Sequence, residues 1–293
     1  MLKSGPLLLL SILAVAIFPP LSRAEEKPAS ASACSLEAGE DRTVTNVLDG
    51  ETLAVDGGTQ VRLIGALAPR AFDTAGDVGH WPLAEQARLG LEQLVAGRGV
   101  RLAFAGRRAD RYGRLLAHVF VGGDDNRVWV QGEMLKRGLA RAYGLEGSTQ
   151  CLAELIAHEA LARSERAGLW ADTIYAVRSA DDTAALLRLA GTFQIVEGLV
   201  AGVSSIRGAT YINFAHDWRK DFTILIRAAG KRLPGAVGTQ TDALQGRRIR
   251  VRGWIERRGG PMMAINHPAE IQLLATDEAA EPRRSIRRRN RRD

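Results

Sequence analysis

From Val44 onward the chain alternates short apolar runs with paired turn residues. "VTNVL" (44–48) is followed by Asp49-Gly50, "TLAV" (52–55) by Asp56-Gly57-Gly58, and then "QVRLIGAL" (60–67). Asp-Gly and Gly-Gly pairs between such runs are hairpin signals, because they tolerate the positive φ that tight two-residue turns need. The pattern predicts a three-stranded meander. The period then changes. In "PLAEQARLGLEQLVAG" (82–97), Leu83, Ala87, Leu91, Leu94 and Val95 fall on one helical face, Pro82 suits a first turn and Gly97 a stop. "VRLAF" (100–104) and "RLLAHVFV" (114–121) predict strands joined through "AGRRADRYG", with "GGDDN" (122–126) as the next turn. "WVQGEMLKRGLA" (129–140) and "QCLAELIAHEALARSERAGLW" (150–170) predict helices, the second amphipathic.

Five strands and three helices over residues 44–170 are the element set of an OB-type barrel, a mainly β fold with helices (α+β). Residues 171–190 read as a short helical connector. A second β-rich unit follows over 191–275, with runs "TFQIVEGLVAGV", "ATYINFA", "DFTILIRAAG", "RRIRVRGWIERRG" and "AEIQLL", and a short helix at "TQTDALQG" (239–246). That order predicts a second, smaller OB-like β-barrel. Residues 25–42, small, polar and acidic, read as a linker before the first domain (43–170).

The start changes the picture of where the protein works. "MLKSGPLLLLSILAVAIFPPLSRAEE" has a positive start at Lys3, an apolar run from Leu7 to Ile17, and small residues at Ser22 and Ala24. It reads as a secretory signal cleaved after Ala24, the alternative being an uncleaved anchor; the run is short for a bilayer. The expectation is an exported protein, periplasmic or secreted, with no transmembrane segment once the signal is removed. An exported chain permits disulfides, and Cys34 and Cys151 allow a single intramolecular bridge, or else stay as two free thiols.

Charge is localised. Of the formal +7, the tail "RRSIRRRNRRD" (283–293) supplies seven Arg against one Asp, so residues 1–282 carry only +1. The tail (276–293) reads as disordered and able to bind polyanions through charge alone. Any nucleic-acid site on the folded part must be a local patch.

Three motifs in order, "VTNVLDGETLAVDGGTQVRLIGALAPR", "DRYGRLLAHVFV" and "VQGEMLKRGLARAY", resemble the staphylococcal-type thermonuclease family over about residues 43–170. The resemblance implies a calcium-dependent nuclease acting on DNA and RNA, with two arginines on the scissile phosphate, acids on the metal and a Glu activating water. Arg62 and Arg114 match the two catalytic arginines; guanidinium groups stay protonated and present paired donors to a phosphodiester. Asp49 matches a metal ligand, and Glu51 stands where the family has a metal-binding Asp. Arg111, Tyr112 and Tyr143 match positions near bound nucleotide, although each Tyr could equally pack on the barrel.

The chain departs from the family at "LAPR" (67–70), where the family has Asp-Thr-Pro-Glu. Leu67 replaces a metal ligand. Arg70 replaces the general base; it cannot accept a proton near neutral pH, and is expected instead to attract substrate phosphate. Asp73 is the nearest substitute base in sequence. The five histidines show no metal-site spacing and read as structural or surface residues. In the second unit Tyr211, Phe214, Trp218 and Phe222 interleave with Arg219 and Lys220, a pattern shared by single-strand-binding grooves and by ordinary barrel cores. Three functions fit: a nuclease with a weakened calcium site, a non-catalytic binder of nucleic acid or another polyanion, and an envelope protein that uses the barrels as scaffold.

Overall fold

The computed structural model describes residues 34–70, 83–215, 217, 221–226 and 241–275. The signal, the first half of the linker (25–33), Asp73, Trp218, Arg219, Lys220 and the Arg-rich tail lie outside them.

The turn signals place the first three strands. β1 (Glu37–Asp49), β2 (Thr52–Val55) and β3 (Gln60–Leu63) form an antiparallel meander. After β4 (Ala66–Leu67) and α1 (Ala84–Val95) come β5 (Gly99–Phe104), β6 (Leu115–Val121), β7 (Val128–Trp129), α2 (Val130–Lys136), β8 (Arg141–Ala142) and α3 (Leu152–Glu165). The order β3-β2-β1-β5-β6 closes through a parallel pairing of β3 with β6, giving a five-stranded OB-type barrel. Leu53, Val61, Leu63, Leu102 and Val119 fill its interior, and α1 lays Ala87, Leu91, Leu94 and Val95 against it.

β1 starts at Glu37, inside the stretch read as linker. The strand changes partners along its length: residues 37–43 pair with β5 and residues 44–49 with β2. Its first half lacks apolar alternation because cross-strand charge takes that place. Asp41 meets Arg101 at 2.8 Å, and Glu37 meets Arg108. Helix α1 begins one residue later than the apolar face implied, with Leu83 as its left-handed cap (φ 69°).

The second β region contains β9 (Arg178–Ser179), α4 (Thr183–Arg188), β10 (Phe193–Leu199), β11 (Gly202–Ile206), β12 (Ala209–Asn213), β13 (Thr223–Ile226), β14 (Arg248–Arg258), β15 (Gly260–Ile265) and β16 (Ile271–Leu273). The sheet runs β11-β12-β13-β15-β14-β10-β9 and curls into a barrel-like shape around Val196, Ile212, Phe222, Ile224, Val251 and Met263. "TFQIVEGLVAGV" divides into β10 and β11. "GPMMAI" forms a strand the sequence pattern did not announce, because its Gly and Pro read as breakers; Gly259 (φ +82°) makes the β14–β15 turn and Pro261 sits beside it. The short helix expected at 239–246 is a 3₁₀ turn over Thr241–Leu244.

The two β regions pack on each other within one unit. Leu67, Tyr143, Ala162, Trp170, Phe193 and Ile195 form an apolar core between them. At its edge Glu159, on the apolar face of α3, meets Arg252 of β14 at 2.9 Å, and both side chains have no solvent exposure. Arg252 also donates to the Ala142 carbonyl (3.0 Å), and the Ala142 N–H donates to Glu159 (2.7 Å). Arg141 donates to the Phe193 carbonyl at 2.7 Å. Cys34 and Cys151 are disulfide-bonded, with Cα atoms 4.6 Å apart, tying the start of the described chain to α3.

Breaking a buried ion pair from one side leaves the other charge uncompensated. Glu159→Ala is therefore expected to lower the unfolding free energy by about 3–5 kcal/mol in urea titrations, with Arg252→Ala costing a similar amount.

A second buried acid makes the same junction sensitive to pH. Glu270 accepts the Asn266 and His267 N–H groups (2.8 and 3.0 Å) close to Gly144 of the first region. Burial pushes its carboxyl up from 4.5 to about 7, outweighing those hydrogen bonds and the nearby Arg252. The folded state thus holds this proton more tightly than the unfolded chain. The resulting stability is fully present below about pH 4.5 and is lost as pH rises through about 7. Glu270→Gln keeps the acceptor oxygen and is expected to remove that slope from urea midpoints measured across the window.

Candidate phosphodiester site

The β1–β2 turn and the β2–β3 pairing build the core of the site. Asp49 Oδ1 accepts the Glu51 N–H at 2.8 Å, which fixes the turn. Gly50 is required for close approach: a Cβ there would lie 2.7 Å from the Ala68 Cβ and 2.8 Å from the Ala87 Cβ. Glu51 therefore sits under the loop that follows β4 and is 1% exposed. Thr52 is opposite Arg62 in the β2–β3 register, so the hairpin alone brings Arg62 beside Glu51.

Both oxygens of Glu51 are engaged. Oε1 accepts from Arg70 Nε at 3.1 Å and from Arg70 Nη2, and it meets Arg62 Nη2 at 3.3 Å. Oε2 accepts the Ala68 N–H at 3.2 Å. Burial raises the Glu51 carboxyl above its ordinary value, while Arg62 and Arg70 oppose that rise. Arg70 remains partly exposed (40%) and Arg62 mostly buried (16%).

The β4–β8 ribbon forms the neighbouring wall. Leu67 pairs with Arg141 in that ribbon and is buried in the core between the two β regions. Tyr143 follows directly, donating its N–H to the Gly65 carbonyl at 3.2 Å. The Arg62 guanidinium lies 6.0 Å from the Tyr143 ring centroid. Burial pushes the Tyr143 phenol up to about 12; the Glu51 charge adds to this, and Arg62, Arg70 and Arg114 oppose it. One cluster thus gathers Glu51, Arg62, Arg70, Arg114 and Tyr143. Among the described residues, Arg62 Nε and the Tyr143 hydroxyl are buried with no hydrogen-bond partner.

Arg114 immediately precedes β6. It is held by Asp110, whose Oδ2 accepts from Arg114 Nε at 2.8 Å while Oδ1 accepts the Tyr112 and Arg114 N–H groups at 2.9 and 3.1 Å. These bonds draw the Asp110 carboxyl below its ordinary value against the effect of burial. Tyr112 is 69% exposed, with the guanidinium groups of Arg111 and Arg114 at 4.9 and 5.7 Å from its ring. The tight turn presents Arg111 and Tyr112 to solvent next to Arg114, whereas Tyr143 is embedded. Asp110 was missed at the sequence level, although an acid four residues before Arg114 in a turn is the available signal.

The resemblance implied calcium at Asp49 and Glu51. Calcium takes six to eight oxygen ligands, usually with more than one carboxylate. Here Glu51 is committed to two guanidinium groups and a backbone N–H, and Leu67 offers only carbon. Among the described residues no group of three or more His, Cys, Asp or Glu converges on a metal-sized site. Opposing unit charges 4 Å apart near a protein surface interact by about 4 kcal/mol, and like charges repel equally, so Arg70 works against a dication at Glu51. As placed, the described residues around Glu51 do not supply the oxygen set that calcium takes.

The OB-type barrel thus carries guanidinium groups beside a buried carboxylate, an arrangement whose chemistry suits a phosphate-bearing ligand. Comparison with known proteins agrees: residues 60–172 match the family described as "Staphylococcal nuclease homologue", so this part of the chain is a staphylococcal-nuclease-type domain. The chain is 33% identical over 138 residues to the SPbeta prophage-derived endonuclease YokF of Bacillus subtilis (strain 168), covering 46% of this chain and 45% of that protein. It is 38% identical over 96 residues to endonuclease YncB of the same organism (32% and 44% covered). To the thermonuclease of Staphylococcus intermedius it is 34% identical over 107 residues (36% and 60% covered). The chain thus spans about half the length of the curated relatives it matches. No helix among the described residues is long and apolar enough to cross a membrane.

The Glu51 carboxylate is the counter-ion for both arginines. Glu51→Ala leaves two guanidinium groups without it and is expected to lower stability by about 1–3 kcal/mol in denaturant titrations, with Glu51→Gln costing less because it keeps an acceptor.

Proposed function

We propose that the protein is an exported, thermonuclease-like protein that binds nucleic-acid phosphodiesters at Arg62, Arg70 and Arg114 and hydrolyses them slowly. The observation that carries the reading is the pair of guanidinium groups, Arg62 and Arg70, held on Glu51 beside the Tyr143 ring, with Arg114 just before the strand that pairs with β3. A phosphodiester gains negative charge as it is attacked, and fixed guanidinium donors stabilise that charge at no reorganisation cost. Arg111 and Tyr112, exposed beside Arg114, are placed to meet the flanking phosphate and base of a single strand. The Cys34–Cys151 bridge supports work in an oxidising compartment, in keeping with the signal-like start.

Slow hydrolysis follows from what surrounds the water's position. Arg70 stands where the resemblance places the base, and it holds its proton. Glu51 is occupied by two guanidinium groups. Without a positioned base a rate loss of roughly a hundred- to ten-thousand-fold is expected. The double engagement of Glu51 also favours a second reading, a non-catalytic binder of nucleic acid or another polyanion.

The test is cleavage and binding of labelled single-stranded DNA and RNA by the oxidised full-length protein. Slow cleavage that falls by about a hundredfold or more in Arg114→Ala and in Arg62→Ala establishes the nuclease. Binding that depends on both arginines, with no cleavage, establishes the binder. Neither activity would refute both readings.

A further inference from the structure

We propose that the Arg70 guanidinium is the resident cation of this site, so that the protein binds a phosphodiester without a divalent metal. The inference rests on the phosphodiester reading above and specifies how that site is charged.

Three observations point the same way. First, the carboxylate that a metal would need is already coordinated. Glu51 is 1% exposed, its Oε1 is shared by Arg70 and Arg62, and its Oε2 takes the Ala68 N–H. A dication entering here would have to displace charge-assisted hydrogen bonds and sit beside two fixed positive charges. Second, the surrounding charges suit an anion. Arg62 and Arg70 share the Glu51 carboxylate and Arg114 is held by Asp110, so a phosphodiester, which carries one negative charge, meets guanidinium donors where a dication meets repulsion. Third, two buried donors in the cluster, Arg62 Nε and the Tyr143 hydroxyl, have no partner among the described residues. A buried donor left unpaired is costly, and both are donors that a phosphate oxygen satisfies and a cation cannot.

The loop makes the exchange coherent. Leu67 seals the interface core where a ligand would otherwise project, and three residues later Arg70 folds back onto Glu51. Metal ligand and base have been replaced together by an apolar plug and a tethered cation.

The experiment measures binding of a fluorescein-labelled oligothymidylate to the oxidised full-length protein by anisotropy, in EDTA and in millimolar calcium. In parallel, thermal unfolding is followed against calcium without nucleic acid. The dissociation constant is expected to agree between the two media within about twofold, and the wild-type Tm to be indifferent to calcium. Arg70→Gln should weaken oligonucleotide binding by about tenfold in EDTA. Both Arg70→Gln and Arg70→Glu should acquire a Tm that rises with calcium, because Glu51 is released. Should Arg70→Glu fail to fold, Arg70→Gln gives the same readout. A wild-type Tm that rises with calcium, or oligonucleotide binding weakened more than about tenfold by EDTA, overturns the proposal. Absence of oligonucleotide binding in either medium refutes the phosphodiester reading instead, and the calcium response of the wild type and of Arg70→Gln still decides whether Arg70 is the resident cation.

Discussion

Glu51 is a negative charge taken out of water, and much of the site's arrangement answers to that fact. A buried carboxylate needs cations and donors close by, or it is neutralised. The hairpin supplies Arg62 from the neighbouring strand, the loop after β4 supplies Arg70 and the Ala68 N–H, and Gly50 lets the turn come close enough for these bonds to form. The same bonds hold the loop down against the barrel. One interaction thus fixes where residues 68–70 lie and how Arg62 and Arg70 are held.

The second β region takes part in this arrangement. Tyr143, whose ring lies beside Arg62, packs edge-on to Phe193 at 6.4 Å, and Leu67 enters the same core. Arg252 and Glu159 lock β14 to α3 with no solvent access, and both bond Ala142, one residue before Tyr143. A buried ion pair contributes little net stability compared with apolar packing, but leaving either charge unpaired is costly, which favours the arrangement of neighbours that keeps both bonded. The wall of the site therefore inherits its geometry from the junction of the two β regions.

Much of the first barrel was legible in the sequence because its signals are local. Asp-Gly and Gly-Gly turns, period-two strands and the apolar face of α1 each act within a few residues, and they agree with one another. The polar first half of β1 was illegible because charge pairs with Arg101 and Arg108, sixty and seventy-one residues away, replace the apolar alternation that marks a strand. β15 was illegible because Gly and Pro, breakers in most contexts, here serve a tight hairpin.

The sequence alone determined that Leu67 and Arg70 stand where ligand and base were expected, since residue identity settles what a side chain can donate or accept. It also determined that a single disulfide was possible and that most of the net charge lies in the tail. Where Arg70 points was decided only by the tertiary structure. An arginine read in isolation faces solvent or substrate; beside a carboxylate that has no access to water, Arg70 folds back and adds charge-assisted hydrogen bonds to those from Arg62 and the Ala68 N–H. Glu159 and Arg252, ninety-three residues apart, likewise become one ion pair only where α3 and β14 pack together.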